Sequence, residues 1–390
     1  MTAAGAPAAG RALRRAGPRF FSASRKGECN AVSKMLGGIK TSMVRTRSQV
    51  RKRHRESLNA HTSYCHVGRR SHKSDPEAKD AACFLKQLWQ LPRNTQHIPV
   101  PNPVSMLRAD LPRLHDQPYF VSAKLDGVRF LLLMGMTEDG KTDFAYMIDR
   151  AYQMYKVDVG VAKERQAYMM GTLIDGELLQ DAEGRLHFVG FDVVAAQGVD
   201  CTSCRYEVRM RKLRELMGQL RVAGCASCSA KRCLPMGRIR DLIRDMEVSE
   251  YPSDGLIFMP DRCPVRTGMH PEMFKWKTHH TIDFQLAEES GRPVLMYSCA
   301  DGLHRCSELN IELVEDAALR DLRSQIPCIV ECSCVYASER RVRAHILSSR
   351  PDKTCPNYER TVVLTLQNIR EAIDRDELVR EIEEAERRHS

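Results

Sequence analysis

Short apolar runs separated by glycine, aspartate or proline dominate the middle of the chain. YFVSAKL (119–125), RFLLLMGM (129–136), FAYMIDR (144–150), GTLIDGELL (171–179), LHFVGFDVV (186–194) and GLIFMP (255–260) each predict a strand. MTEDGKT (136–142) carries Asp139-Gly140, a hairpin signal. Helical spacing appears in two places. Phe84, Leu85, Leu88, Trp89 and Leu91 give an apolar face to a short helix starting near Asp80. Val208, Leu213, Leu216, Leu220 and Val222 do the same for 205–222. The proline-rich HIPVPNPVSM (97–106) must run extended. Beyond about 285 a second set of strands follows, PVLMYSC, SELNIELVE and PCIVECSCVYA, and then a charged helix over 361–387. No internal repeat is visible. The pattern predicts an α+β protein with a tail over 1–80, an antiparallel-sheet domain over 81–284, and a small β-barrel domain with a C-terminal helix over 285–390.

Composition sharpens this picture at the N-terminal side. The chain has 390 residues, 43% hydrophobic and 28% charged, which suits two or three globular domains. No apolar run approaches the roughly 18–20 residues that span a bilayer. The net charge is +10, yet residues 1–54 hold thirteen Lys/Arg against one acid, Glu28. That segment therefore carries +12 and leaves about −2 for the rest. Its Ala, Gly, Ser and Arg content predicts a disordered basic arm that attracts RNA or the acidic tail of a polymerase. Arg-Lys-Arg-His-Arg (51–55) reads as a nuclear address. The Arg-rich, acid-free first 27 residues also fit a mitochondrial transit peptide, and that alternative stays open. Fifteen cysteines without a secretory h-region indicate reduced thiols.

Cys201-x-x-Cys204 and Cys225-x-x-Cys228 have the spacing of a structural zinc site. Against it, the residues between the pairs read as one helix, and 18 helical residues part their ends by roughly 27 Å. Zinc there requires the helix to break, with Gly218 or Gly224 as the place for a turn.

The chemistry-bearing stretch is KLDGVR, residues 124–129. It sets Lys124 beside Asp126, Gly127 and Arg129 at a strand end. Alone, such a hexamer is most often a turn. Five further segments follow in order: Asp175-Gly176-Glu177; Phe188, Phe191 and Asp192; Asp254-Gly255-Leu256-Ile257-Phe258; FKWKTHHTIDF with Lys275, Lys277, Thr281 and Asp283; and RPDKTCPN with Arg350, Asp352, Lys353 and Asn357. A lysine attacks phosphorus only when deprotonated, which desolvation and nearby cations favour. Lys275 and Lys277 lie two apart, so on a strand they face one side and supply such cations. Arg129 offers a fork to a ribose or phosphate oxygen. Glu177 is the natural acid for ribose hydroxyls or a divalent ion, and Mg²⁺ needs only one or two carboxylates.

This ordered set resembles the motifs of the covalent nucleotidyltransferases, the DNA ligases, RNA ligases and mRNA capping guanylyltransferases. KLDGVR, SDGLIF with Asp before Gly, KWK…TIDF and RPDKTCPN resemble the capping members most, over roughly 100–375. The resemblance implies an ATP-grasp-like nucleotidyltransferase domain (81–284) followed by an OB-fold domain (285–390). It implies GTP as substrate, with Mg²⁺ or Mn²⁺, Lys124 as the residue that takes up GMP, and Lys275 and Lys277 at the α-phosphate. Asp126, Gly127, Arg129, Glu177 and Asp254 would line the nucleotide. Phe191, with Phe188 as second choice, and Ile257 would sandwich the purine, although periodicity alone puts all three in the core. Arg350, Asp352 and Lys353 would close over the β- and γ-phosphates. Ser348 stands where the family carries a further arginine, with Arg343 nearby as a stand-in.

The implied reaction transfers GMP to a 5′-diphosphate RNA end in the nucleus. The RNA triphosphatase and cap methyltransferase would lie on other chains, because no second catalytic constellation is visible. An ATP-dependent polynucleotide ligase, or an inactive relative that binds RNA ends or a polymerase, are the alternatives.

Overall fold

The computed structural model describes residues 68–72, 75–89, 100–251, 253–315, 317–351 and 353–389. The basic arm, the 51–55 address, Leu91 and Asp352 lie outside them. The fold is α+β and mostly strand. One sheet of eight strands runs Arg69–Arg70, Met154–Lys156, Asp143–Ile148, Val128–Met136, Thr172–Gln180, Leu186–Ala196 and Val199–Asp200, and Cys225–Ala230 adds to Leu186–Ala196. A five-stranded sheet has the order Cys233–Pro235, Tyr119–Leu125, Ser253–Pro260, Gly268–Lys277, Pro101–Ser105. A six-stranded sheet has the order Leu303–Arg305, Arg292–Ser298, Thr281–Glu289, Cys328–Tyr336, Val342–Ser349, Ile311–Leu313. Pairing within these sheets is antiparallel apart from Cys225–Ala230 on Leu186–Ala196, Gly268–Lys277 on Pro101–Ser105, and Ile311–Leu313 on Val342–Ser349.

The continuous apolar run of Val128–Met136 has a simple cause: both faces of its sheet are covered. Phe130, Leu132 and Met134 point into a core with Ile174, Val193 and the helix Tyr206–Gln219, which contributes Met210, Leu213 and Met217. Leu131 and Leu133 point the other way, onto Phe144, Tyr146 and the helix Pro76–Leu88 through Ala78, Ala81 and Leu85. That helix starts four residues before the expected Asp80, because Pro76 fits a first helical turn, where its missing N–H goes unused. With Arg69–Arg70 also in a sheet, the tail expected over 1–80 is too long; its described last residues belong to the fold.

Two more expectations change. The helix expected over 205–222 ends at Gln219, and Leu220–Val222 pairs instead with Val159–Val161. The single helix expected over 361–387 is two, Glu359–Glu371 and Arg375–His389, broken at Ala372 in a left-handed conformation with φ 43°. The first packs on the six-stranded sheet through Val362 and Leu366. The second turns back to the five-stranded sheet, where Leu378, Val379, Ile382 and Ala385 join Val121, Phe258, Phe274 and Trp276 in one core. Among the described residues, no helix is long and apolar enough to cross a membrane.

Candidate active site

Strand alternation builds the lysine cluster. In the five-stranded sheet Val121, Phe258, Phe274 and Trp276 face the helices. Side chains of the opposite parity, Lys124, Ile257, Lys275 and Lys277, therefore share the other face. Ile257 lies opposite Lys275, and Gly255 opposite Lys277. Asp254 has the wrong parity for this face. A register shift between Ser253 and Leu256 re-aims it, and its carboxylate bridges two lysines. Oδ1 is 2.7 Å from Lys124 Nζ, and Oδ2 pairs with Lys277 Nζ. Burial works to raise the Asp254 pKa, but the hydrogen bonds and charges of Lys124 and Lys277 outweigh it and hold the carboxyl below its usual range. Burial, then Lys277 and Lys124, lower the pKa of Lys275, so its ammonium form is disfavoured.

Two glycines of the motifs are fixed by close approach. A Cβ on Gly255 would lie 1.9 Å from the Trp276 carbonyl oxygen, and one on Gly127 2.6 Å from that of Leu178. Gly127 brings the KLDGVR turn against Thr172–Gln180, where its backbone N–H faces the Glu177 carboxylate.

On the eight-stranded sheet Arg129 lies directly opposite Glu177. Its fork is taken by Asp175: Nε donates to Oδ1 at 2.8 Å, and the terminal nitrogen pairs with Oδ2. A further N–H donates to the Pro101 carbonyl at 2.7 Å. Sequence reasoning set this fork on a ribose or phosphate; here it also neutralises a buried carboxylate and ties the sheet to the Pro101–Ser105 strand. Burial raises the Asp175 pKa, and Arg129 opposes that shift. Burial likewise raises the Glu177 pKa, opposed by Lys231 and Lys124. Asp126 is exposed at the turn.

The two aromatic candidates separate. Phe188 is wholly buried in the core. Phe191 is half-buried, with the Arg129 guanidinium 5.2 Å and the Lys231 ammonium 5.6 Å from its ring centre. Asp192, beside it, is bound by Arg209 at 2.7 Å in a buried pair that anchors the Tyr206–Gln219 helix.

Lys231 is the residue that sequence reasoning missed. It is 9% exposed, and burial lowers its pKa to about 8, against the pull of Glu177. Arg150 was missed as well; it bears on Lys275 and Asp175. His280 was the third, its pKa lowered by burial and by Lys277 and Lys275. None of these stands in a motif. The one available signal for Lys231 was a lysine directly after a strand of small residues, CASCSA.

A second group is built on Asp283. Arg350 reaches Asp283 at 3.2 Å and Glu331 at 3.8 Å. Asn357 accepts the Asp283 N–H at 3.0 Å and donates its own N–H to the Asp283 carbonyl at 2.7 Å. The TIDF and RPDKTCPN segments are thus stitched together on the six-stranded sheet. Lys353 is half-buried one turn after Arg350. Ser348 is exposed opposite Glu331, whereas Arg343 lies opposite Val335. Their partners on the facing strand are four steps apart, about 13 Å, so Arg343 does not stand in for an arginine at 348.

The zinc reading of the paired CxxC motifs does not hold. The helix between them stays unbroken from Tyr206 to Gln219, about 21 Å of rise. Cys225 and Cys228 sit on a strand beside Leu186–Ala196, and all four cysteines pack with the core. Among the described residues the metal-competent groups are elsewhere. The thirteen described cysteines are all free thiols.

The sequence profile described as "mRNA capping enzyme, catalytic domain" matches residues 66–279, more than half of the chain. The "mRNA-capping enzyme subunit alpha" of Schizosaccharomyces pombe is 27% identical over 325 residues, 73% of this chain and 79% of that one. The "mRNA-capping enzyme" of Caenorhabditis elegans is 24% identical over 309 residues, 70% of this chain and 48% of the relative. The Saccharomyces cerevisiae subunit alpha is 25% identical, with 52% of its length covered. The chain thus spans about half the length of the latter two. A mycobacterial DNA ligase D complexed with ATP and MES aligns with a TM-score of 0.39 at 15% identity, over 66% of this chain and 96% of that one. By its sequence and the residues gathered here, the chain belongs to the mRNA capping enzyme catalytic-domain family.

Proposed function

We propose that this chain is a GTP:RNA guanylyltransferase that carries GMP on Lys124. The observation that carries the reading is the lysine cluster: the Lys124 amine, 2.7 Å from Asp254, beside Lys275 and Lys277 on one sheet face. In the first step the deprotonated amine attacks the α-phosphorus of GTP. A P–N bond forms, the bond to the bridging oxygen breaks, and pyrophosphate leaves with the electron pair. Asp254 is the nearest carboxylate to receive the amine proton. Lys275 and Lys277 stabilise the charge that develops on the α-phosphate oxygens. In the second step a terminal oxygen of a 5′-diphosphate RNA attacks the same phosphorus, and Lys124 leaves as the amine.

Glu177 and Asp254 offer hard oxygen donors that fit Mg²⁺ or Mn²⁺, an ion that would neutralise phosphate charge when bound. GTP rather than ATP is supported by Lys231. A protonated amine beside Phe191 donates to an acceptor, which guanine presents at O6 where adenine presents an amino group. Phe191 and Ile257 would hold the purine, and the OB-fold domain over 285–390 would bring its Arg350, Asp352 and Lys353 onto the departing phosphates. The basic arm suits a nuclear protein that meets RNA and the RNA polymerase II C-terminal tail. RNA triphosphatase and cap methyltransferase activities would come from other chains.

The test is covalent labelling. The wild-type chain is expected to form an adduct with α-labelled GTP in Mg²⁺ or Mn²⁺, and Lys124→Ala none. Full labelling of Lys124→Ala would sink the mechanism. An AMP adduct without a GMP adduct would move the chain to the ligases.

A further inference from the structure

Away from the lysine face, Cys263, in the connection after the Ser253–Pro260 strand, meets His270 and Glu272 at the start of the Gly268–Lys277 strand. Cys263 Sγ lies 3.1 Å from His270 Nε2 and 3.1 Å from Glu272 Oε2. All three donor atoms lie within 4.8 Å of one another. Cys263 is 6% and His270 2% exposed, and Glu272 is half-buried. We propose that Cys263, His270 and Glu272 form a structural zinc site, with water as the fourth ligand.

The donor set is the reason. Thiolate, imidazole and carboxylate together suit borderline-soft Zn²⁺ rather than the hard ions that phosphate chemistry uses. A tetrahedron with zinc bond lengths has edges of about 3.3–3.6 Å, close to the two 3.1 Å contacts that the Cys263 sulfur makes. Charge also favours it. Zn²⁺ with one thiolate and one carboxylate is neutral overall, an acceptable set for a buried place. Binding releases the thiol proton to solvent. Burial, then Glu272, push the Cys263 thiol up to about 12, with Arg266 and Arg209 opposing, so the thiolate forms only as the ion binds. Burial keeps His270 in the neutral form that a metal requires. The imidazole is also held from outside the triad, by the Pro264 carbonyl that faces it.

The other metal-competent group, Cys299, Asp301 and His304, lacks these features. Asp301 and Glu308 take both ring nitrogens of His304, at 2.9 and 3.2 Å. Although partial burial opposes it, these two carboxylates hold His304 toward its protonated form, which competes with a metal.

The placement gives the site a purpose. Within one short stretch a bound ion would brace the connection between the strands of Asp254 and Lys277. Glu272 also accepts the Tyr119 hydroxyl at its carbonyl, 3.0 Å away, which links the brace to the strand of Lys124.

Zinc content of the purified full-length chain tests this, measured by mass spectrometry after equilibration with zinc and desalting, with cobalt substitution read in parallel. The expected result is one zinc per chain and a sulfur-to-cobalt charge-transfer band. Both are lost in Cys263→Ala, while Cys225→Ala and Cys299→Ala keep them. Glu272→Gln, which preserves shape, should weaken retention and leave the chain folded by circular dichroism; it carries the test if Cys263→Ala does not fold. A wild-type chain that retains no zinc, zinc retained undiminished in both Cys263→Ala and Glu272→Gln, or zinc lost from Cys225→Ala or Cys299→Ala, would each overturn the proposal.

Discussion

Lys231 shows what a single side chain contributes once the fold has placed it. Its pKa near 8 sits below the ordinary lysine value, so the unfolded chain holds that proton more tightly than the folded one. Below pH 8 the folded state bears the whole penalty of a buried ammonium. Between about 8 and 10.5 the penalty fades, and above that range both states are neutral. Lys231→Met should therefore raise the melting temperature at pH 7 and lose that advantage by pH 10.5, as read by thermal melts across pH. The same variant should label poorly with GTP, since the donor beside Phe191 is gone. Equal labelling with wild type would remove Lys231 from purine recognition. Why this residue escaped sequence reasoning is physical: its neighbours Phe191 and Glu177 are distant in sequence and reach it through sheet pairing. Lys124, Asp254, Lys275 and Lys277 were legible because each sits in a segment whose order and spacing carry a pattern. Arg129 was half legible. The motif order singled it out, but its bond to Asp175 depends on a neighbouring strand's register, which the hexamer does not contain.

At the scale of elements, alternation predicted well wherever one face met a core and the other a cleft, as in Tyr119–Leu125 and Ser253–Pro260. It failed where an element answers to a distant partner. The helix expected to run unbroken over 361–387 splits at Ala372, because its two halves bury their apolar residues on different sheets. The CxxC spacing misled in the same way: Cys225 and Cys228 are drawn onto the edge of the Leu186–Ala196 strand, away from the start of the helix. The second half of the split helix is tied down by Arg240 to Glu383 at 2.5 Å and by Arg108 to Glu377. Its apolar contacts weigh more than these exposed pairs. Ile382 is fully buried against the five-stranded sheet, so Ile382→Ala should cost about 2–5 kcal/mol, measured by denaturant unfolding. A loss well under 1 kcal/mol would mean that this helix does not share the core of the lysine sheet.

For the molecule as a whole, the lysine cluster and the Asp283 group are separate constructions, joined by two connections, 278–280 and 372–374. A cleft of about 570 Å³, lined by Trp276 and Lys277 of the five-stranded sheet and by Thr281, Ser333 and Leu347 of the six-stranded sheet among others, opens beside these connections. If triphosphate binding closes this gap, fluorescent labels at Ser348 and Asp126 should move closer when a GTP analogue that cannot transfer is added. An unchanged transfer efficiency would argue for a fixed arrangement. Ser348 suits the label because it is exposed, and Arg343, well along the strand, does not take its place.

The return of residues 375–389 to the five-stranded sheet also sets an order of events during synthesis. Lys124 leaves the ribosome about 250 residues before the helix that completes its sheet's core. Until that helix arrives, Val121, Phe258, Phe274 and Trp276 lack part of their cover, and the Trp276 indole lacks the Ile373 carbonyl that accepts its N–H at 2.9 Å. A transcript cut short within the last module would thus give a product with an open core, prone to proteolysis. Deleting residues 375–389 should accordingly hasten cleavage of the lysine sheet in limited proteolysis, and an unchanged rate would mean that the sheet's core closes without them.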